Sequence, residues 1–177
     1  VVMLDRPRHH CGAALAAGRD DLVRSIGSPA TRPHSGSGRL TRHLALVGPT
    51  ASGKSALALE VARIAGDVEL VSLDSMQVYR GLDIGTAKPS VDERSEIAHH
   101  LIDEANPAQG YSAAVFKKQA AAAIIDVTSR GKLPILVGGT GLYIDSIIYD
   151  YGFLPAGSAD ERDKLDQLSI DKLLTIN

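Results

Sequence analysis

The sequence predicts an α/β protein, a parallel sheet flanked by helices, and three observations carry that expectation. Apolar runs of strand length alternate with segments of helical period across residues 43–149. Two of those runs end in glycine-rich turns that lead directly into helical segments. The runs are also nearly continuous in their apolar character, the pattern of strands buried on both faces. Strands joined through helices form βαβ crossovers, and these produce a sheet covered on both sides.

Residues 1–42 precede this pattern. They mix Arg, His, Gly, Pro and Ser with no sustained period, so they are expected to be a disordered or incidental basic extension. One reading makes the segment a basic arm that finds RNA; the other makes it residues the fold does not need, carried from an upstream start. No aromatic side chain stands there to stack on bases. No apolar core of secretory length occurs in it either, so no signal peptide is expected.

From His43 the pattern is regular. The run His43-Leu44-Ala45-Leu46-Val47 reads as a buried strand, and 54–65 follows with Leu57, Val61 and Ile64 at helical spacing. Residues 68–72 form a second strand candidate and 99–102 a weaker third. The alanine-rich stretch 111–130 has no internal Gly or Pro and predicts a long helix stopped by Gly131. Residues 134–137 give a fourth strand, and Gly138-Gly139-Thr140 opens a helix through Tyr149. Residues 159–174 place Leu165, Leu168 and Leu173 for one amphipathic helix, with little left to pack against.

Composition bounds the possible functions. A chain of 177 residues with 44% hydrophobic content supports one core. No apolar run approaches the roughly 18 residues of a membrane span, so no membrane is expected. The single cysteine, Cys11, excludes an internal disulfide and fits a reducing cytoplasm. The net charge of −2 hides a split: residues 1–43 carry seven arginines against three acidic residues, while 44–177 balance at −6.

The most specific motif is Gly48-Pro49-Thr50-Ala51-Ser52-Gly53-Lys54-Ser55, which satisfies G-x-x-x-x-G-K-[ST] between a strand and a helix. Gly48 and Gly53 allow main-chain amides to wrap phosphate oxygens, with Thr50, Ala51 and Ser52 between them. Lys54 adds a point charge, Ser55 can ligate Mg2+, and the helix directs its positive end at the anion. The fold is therefore P-loop NTPase-like. Which phosphate compound is held stays open, since kinases, ATPases and transferases share the loop.

A second group of residues follows the second strand. In a parallel sheet the carboxyl ends of the strands share one edge, so Asp74 should project beside the loop, as a general base or as a helix N-cap. Gln77 can read an adenine edge or lie on the surface, and Lys88 can be a second phosphate contact or a solvated loop residue. His99 and His100 would face opposite sides of a strand, against joint metal binding. Thr140 sits where its hydroxyl could meet substrate or cap its helix.

Taken in order, GPTASGKS at 48–55, DSMQVYRGLDIGTAKPS at 74–90, HHLID at 99–103 and GGTGLY at 138–143 closely resemble the tRNA dimethylallyltransferase, or tRNA isopentenyltransferase, family. The resemblance covers roughly residues 43–154. It implies transfer of a dimethylallyl group from dimethylallyl diphosphate to the exocyclic amine of the adenosine 3′ of the anticodon in tRNA, with release of diphosphate. Carried over by motif, Gly48 and residues 50–55 would hold the diphosphate with Mg2+ at Ser55. Asp74 would accept the amine proton; Asp74, Ser75, Met76 and Gln77 would contact the target base; and Thr140 would lie near the tRNA and the leaving group.

Members of that family are longer, continuing into a helical insertion that grips the anticodon arm. The resemblance therefore implies the amino-terminal part of a catalytic core at 43–154, incomplete relative to the family. Residues 155–177 would be the start of the tRNA-binding part. Two other readings stay open: a diphosphate- or nucleotide-binding remnant without turnover, and a small ATP-using kinase. The kinase would need lid arginines, and residues 141–177 hold only Arg162. The sequence leaves the oligomeric state undetermined.

Overall fold

The computed structural model describes residues 2–4, 43–154 and 159–175. Strands β1 (Val2–Leu4), β2 (His43–Val47), β3 (Val68–Leu73), β4 (His99–His100) and β5 (Leu133–Gly138) form one sheet in the order β1-β2-β5-β3-β4. Strands β2 to β5 are parallel, as the βαβ pattern requires, and β1 pairs antiparallel with β2 at one edge. Helices α1 (Lys54–Ala65), α2 (Val91–Glu96), α3 (Ala113–Ser129), α4 (Gly141–Ile148), α5 (Ala159–Asp166) and α6 (Ile170–Leu173) complete the described elements.

Every residue of β3 is buried, which explains why its sequence lacks polar alternation. One face of the sheet packs Leu44, Leu70 and Ile135 against Ala58, Leu59, Val61 and Ala62 of α1. The other packs Ala45, Val71, Leu73 and Leu136 against Phe116, Ala120 and Ile124 of α3 and Tyr143 of α4. Phe116 and Tyr143 stack with ring centroids 3.8 Å apart, locking α3 to α4. Helix α1 ends at Gly66, whose φ of 78° only glycine adopts cheaply, and α3 gives way to Gly131 as expected.

Register, more than composition, positions the functional residues. Val47 of β2 and Leu73 of β3 are both paired with Gly138 of β5, so three parallel strands end at one level. The next residues, Gly48, Asp74 and Gly139, leave the sheet along the same rim. Gly138 itself is packed so closely that a Cβ there would lie 2.5 Å from the Leu73 carbonyl oxygen.

Several elements differ from their sequence expectations. Within the basic extension, Val2–Leu4 forms an edge strand, because a three-residue apolar run can pair with β2 while being too short to show a period. The rest of that extension lies outside the described residues. Helix α2 was not expected, although Ser90 and Glu93 form a complete capping box. Strand β4 is two residues long because Leu101 and Asp103 take left-handed backbone angles that stop pairing. The tail is two helices rather than one, broken before Ser169, and Leu165, Ile170, Leu173 and Leu174 are exposed.

Candidate functional site

The phosphate loop follows β2 and turns sharply into α1. Ala51 and Gly53 both take left-handed angles, φ 62° and 79°, which alternate the direction of successive amides and form an anion nest. For alanine this conformation is strained, and strain of that kind collects in functional loops. Gly53 is the N-cap of α1 and supplies no side chain, and the first turn holds no acidic residue. The helix N-terminus therefore keeps its uncapped amides and positive end toward the loop. Lys54 Nζ and Ser52 Oγ each donate to the Pro49 carbonyl at 2.8 Å, folding the loop around its own centre.

Across the rim, Asp74 opens the turn after β3. Its Oδ1 accepts from the amides of Met76 at 2.8 Å and Gln77 at 3.3 Å, while Oδ2 has no hydrogen bond among the described residues. The two readings of Asp74 coexist: one oxygen caps the turn, and the other is available to a ligand. Thr140 ends the third arm. It sits at the N-cap of α4 without capping it; instead Oγ1 accepts from the Ser75 amide at 3.1 Å and lies 3.5 Å from Ser75 Oγ.

These residues line one cleft of about 880 Å³, together with Gly48, Thr50, Ala51, Ser52, Gly53, Lys54, Ser55, Ser75, Met76 and Gln77. All the site residues read from the sequence therefore come together. Two side chains are used differently from the open alternatives. Gln77 is held at both ends: Oε1 accepts from Ser72 Oγ at 3.0 Å, and Nε2 donates to the Thr86 and Ala87 carbonyls at 3.1 and 3.0 Å. Its amide therefore pins the loop at 82–88. Lys88 also lines the cleft, but its buried ammonium is engaged within the protein, donating to Tyr79 O, Asp83 and Asp103 at 2.6, 2.9 and 2.7 Å. Burial opposes the charge on Lys88, and the two carboxylates outweigh it, so its pKa is raised.

The histidines separate as the strand geometry requires. His99 is level with Leu70 and bonds through Nδ1 to the Ile97 carbonyl, whereas His100, level with Val71, meets Glu69 at 2.7 Å. Glu69 is buried and also receives Arg130 and Lys132. Those hydrogen bonds, Arg130 first, hold its carboxyl well below the usual carboxylate range despite burial. This cluster binds β3 to the end of α3, far from the rim. Sequence reasoning missed Ser72, Glu93 and His99 as cleft residues. Alternation along β3 links Ser72 to Leu70, but the register that sets His99 beside Leu70 has no local sequence signal.

A glycine-rich loop at the end of a parallel strand, facing a carboxylate and a hydroxyl across one cleft, defines the class as an α/β protein with a P-loop-like layout. Comparison with known proteins narrows that class. The family model described as IPP transferase matches residues 77–175. A tRNA dimethylallyltransferase of Macrococcus caseolyticus is 49% identical over 138 residues, covering 75% of this chain and 44% of that protein. The crystal structure of the full-length tRNA isopentenylpyrophosphate transferase of Bacillus halodurans matches at TM-score 0.59 and 43% identity, over 70% of this chain and 41% of that one. A eukaryotic dimethylallyltransferase, described in crystallographic snapshots of its action on tRNA, matches at TM-score 0.63 and 30% identity, over 74% and 33%. The chain belongs to the IPP transferase family. It spans less than half the length of these relatives.

Proposed function

We propose that this chain supplies the donor site and acceptor carboxylate for prenyl transfer to tRNA, moving a dimethylallyl group from dimethylallyl diphosphate to the exocyclic amine of the adenosine 3′ of the anticodon. The observation that carries this is the common level of Val47, Leu73 and Gly138, which delivers the phosphate loop, Asp74 and Thr140 to one rim of one cleft. The kinship with tRNA dimethylallyltransferases supports the choice of donor and acceptor.

In the proposed reaction the adenine amine attacks C1 of the donor as the C1–O bond breaks, and the bonding electrons leave with diphosphate. The loop amides and Lys54 neutralise the charge that develops on the leaving group. Asp74 Oδ2 takes the amine proton, assisting a poor nucleophile. Met76, half exposed in the cleft, and Ser75 border the base, Gln77 holds the adjoining loop, and Thr140 positions Ser75. The target base must leave its stack to enter.

Mg2+ fits the donor set. Ser55 lines the cleft in the first turn of α1, and Mg2+ commonly relies on few protein oxygens plus substrate phosphates. Ser55 would hold it, and when bound it would supply further neutralisation of the diphosphate. Among the described residues no helix is long and apolar enough to cross a membrane. A reducing cytoplasm is the compartment this reading implies.

The test is incubation of the chain with magnesium, labelled dimethylallyl diphosphate and unmodified tRNA, with ATP as a parallel donor. Prenylated tRNA is expected. Phosphoryl transfer from ATP would replace this reading with a kinase, and diphosphate binding without product would reduce the chain to a binding unit.

A further inference from the structure

The cleft does not stop at the phosphate loop. It continues down the α1 face of β3, where Ser72 and Val137 are level in register and Leu70 lies two residues lower. Leu59 of α1 and Ile102 add apolar wall, and His99, level with Leu70, lines the far end. Two strand residues span about 7 Å. A branched five-carbon tail is about 5 Å long by ordinary bond lengths, and its ten-carbon homologue is roughly twice that.

The far end is polar in a defined way. His99 Nδ1 lies 2.7 Å from the Ile97 carbonyl, which can only accept, so Nδ1 carries the proton. Burial pushes the ring below the usual histidine range, favouring the neutral form with a lone pair on Nε2. That nitrogen has no hydrogen-bond partner among the described residues, and no buried side-chain nitrogen there lacks one, so Nε2 is open to water on a ring that lines the cleft. Glu93 lines the same cleft within electrostatic reach of His99.

We propose that His99 closes the hydrocarbon end of the donor site and restricts the donor to a five-carbon tail. A longer tail meets the imidazole ring and strips water from Nε2 without replacing its hydrogen bond, which disfavours it twice. This rests on the reading that the donor's diphosphate occupies the phosphate loop.

Calorimetric binding of magnesium pyrophosphate, dimethylallyl diphosphate and geranyl diphosphate to the full chain tests the proposal. The five-carbon compound is expected to bind at least about tenfold more tightly than pyrophosphate, by burial of its tail. Geranyl diphosphate should lose that advantage in the wild type and regain it in His99→Ala, which removes both the bulk and the polar nitrogen. Should His99→Ala fail to fold, diethyl pyrocarbonate labelling of the wild type, mapped by mass at His99, gives the second readout: dimethylallyl diphosphate protects it and pyrophosphate does not. Equal binding of pyrophosphate and dimethylallyl diphosphate, unchanged geranyl discrimination in a folded His99→Ala, or labelling indifferent to the tail would each overturn the proposal while leaving the phosphate-loop reading intact. Failure to bind any diphosphate would overturn both.

Discussion

Thr140 Oγ1 accepts a hydrogen bond from the Ser75 amide at 3.1 Å, joining the start of α4 to the turn after β3. The bond crosses the gap between two strand ends and fixes the orientation of the Asp74 turn toward the phosphate loop. Thr140→Val keeps the shape and removes the acceptor. Unfolding should become easier by about 1 kcal/mol, the usual worth of such a bond. Prenyl transfer should fall by roughly tenfold or more, because a misplaced base costs more than a lost contact. Steady-state kinetics beside thermal unfolding will separate the two; a loss of stability with no loss of turnover would remove Thr140 from the site.

Asp74 combines two duties that one substitution can divide. In Asp74→Asn the amide oxygen can still accept from Met76 and Gln77, so the turn should persist. The proton acceptor disappears. Turnover is expected to drop by about 10²-fold or more with diphosphate affinity preserved. Asp74→Ala should lose the turn as well and show a lower unfolding temperature, which the asparagine variant should not.

The strands and their order along the chain were legible because β2, β3 and β5 are covered on both faces and therefore mostly apolar, Glu69 and Ser72 of β3 being the buried polar exceptions. The phosphate loop was legible for a different reason, since Gly48, Gly53, Lys54 and Ser55 are close in sequence and act locally. Asp74 and Thr140 could be placed at the same rim from parallel topology alone. Their bonding could not, because the Ser75–Thr140 contact spans 65 residues and depends on register. Register also hid the level pairing of Leu70 with His99. Helix α2 escaped notice for want of any buried residue, leaving only its capping box as a signal.

Glu69 gives the fold an acid-sensitive joint. Its carboxylate is buried, and Arg130, Lys132 and His100 all bond to it. The folded-state pKa is depressed below the ordinary 4.5, so the native state holds fewer protons than the unfolded state between those values. The stabilisation is therefore complete above about pH 4.5 and is lost as pH falls through the folded-state pKa. Glu69→Gln should cost about 1–3 kcal/mol near neutrality. It should also flatten the decline in stability below pH 4.5. Denaturant unfolding of both proteins from pH 7 to 3 measures this, and parallel curves would place the acid sensitivity elsewhere.

Gly139 is required for space rather than for backbone angle, and that makes it a probe of how tightly the phosphate loop is seated. A Cβ at Gly139 would lie 2.9 Å from the Gly48 carbonyl oxygen, with Lys54 Nζ at 4.0 Å. The obstructing atom belongs to the main chain of the loop, so it cannot rotate away; the loop itself would have to shift. Gly139→Ala is expected to cost about 1–3 kcal/mol through that strain. Diphosphate affinity should fall at least about tenfold, since the nest amides and the lysine would no longer converge. Gly53→Ala, by contrast, meets nothing within 4 Å but is strained at φ 79°. It should weaken binding by disturbing the nest from within, while leaving the rim contact to Gly48 unchanged. Calorimetry with magnesium pyrophosphate on both variants, with backbone amide shifts at Gly48 followed by NMR, distinguishes the two routes. A Gly139→Ala protein that binds diphosphate normally would show that the loop is not held by the rim of β5.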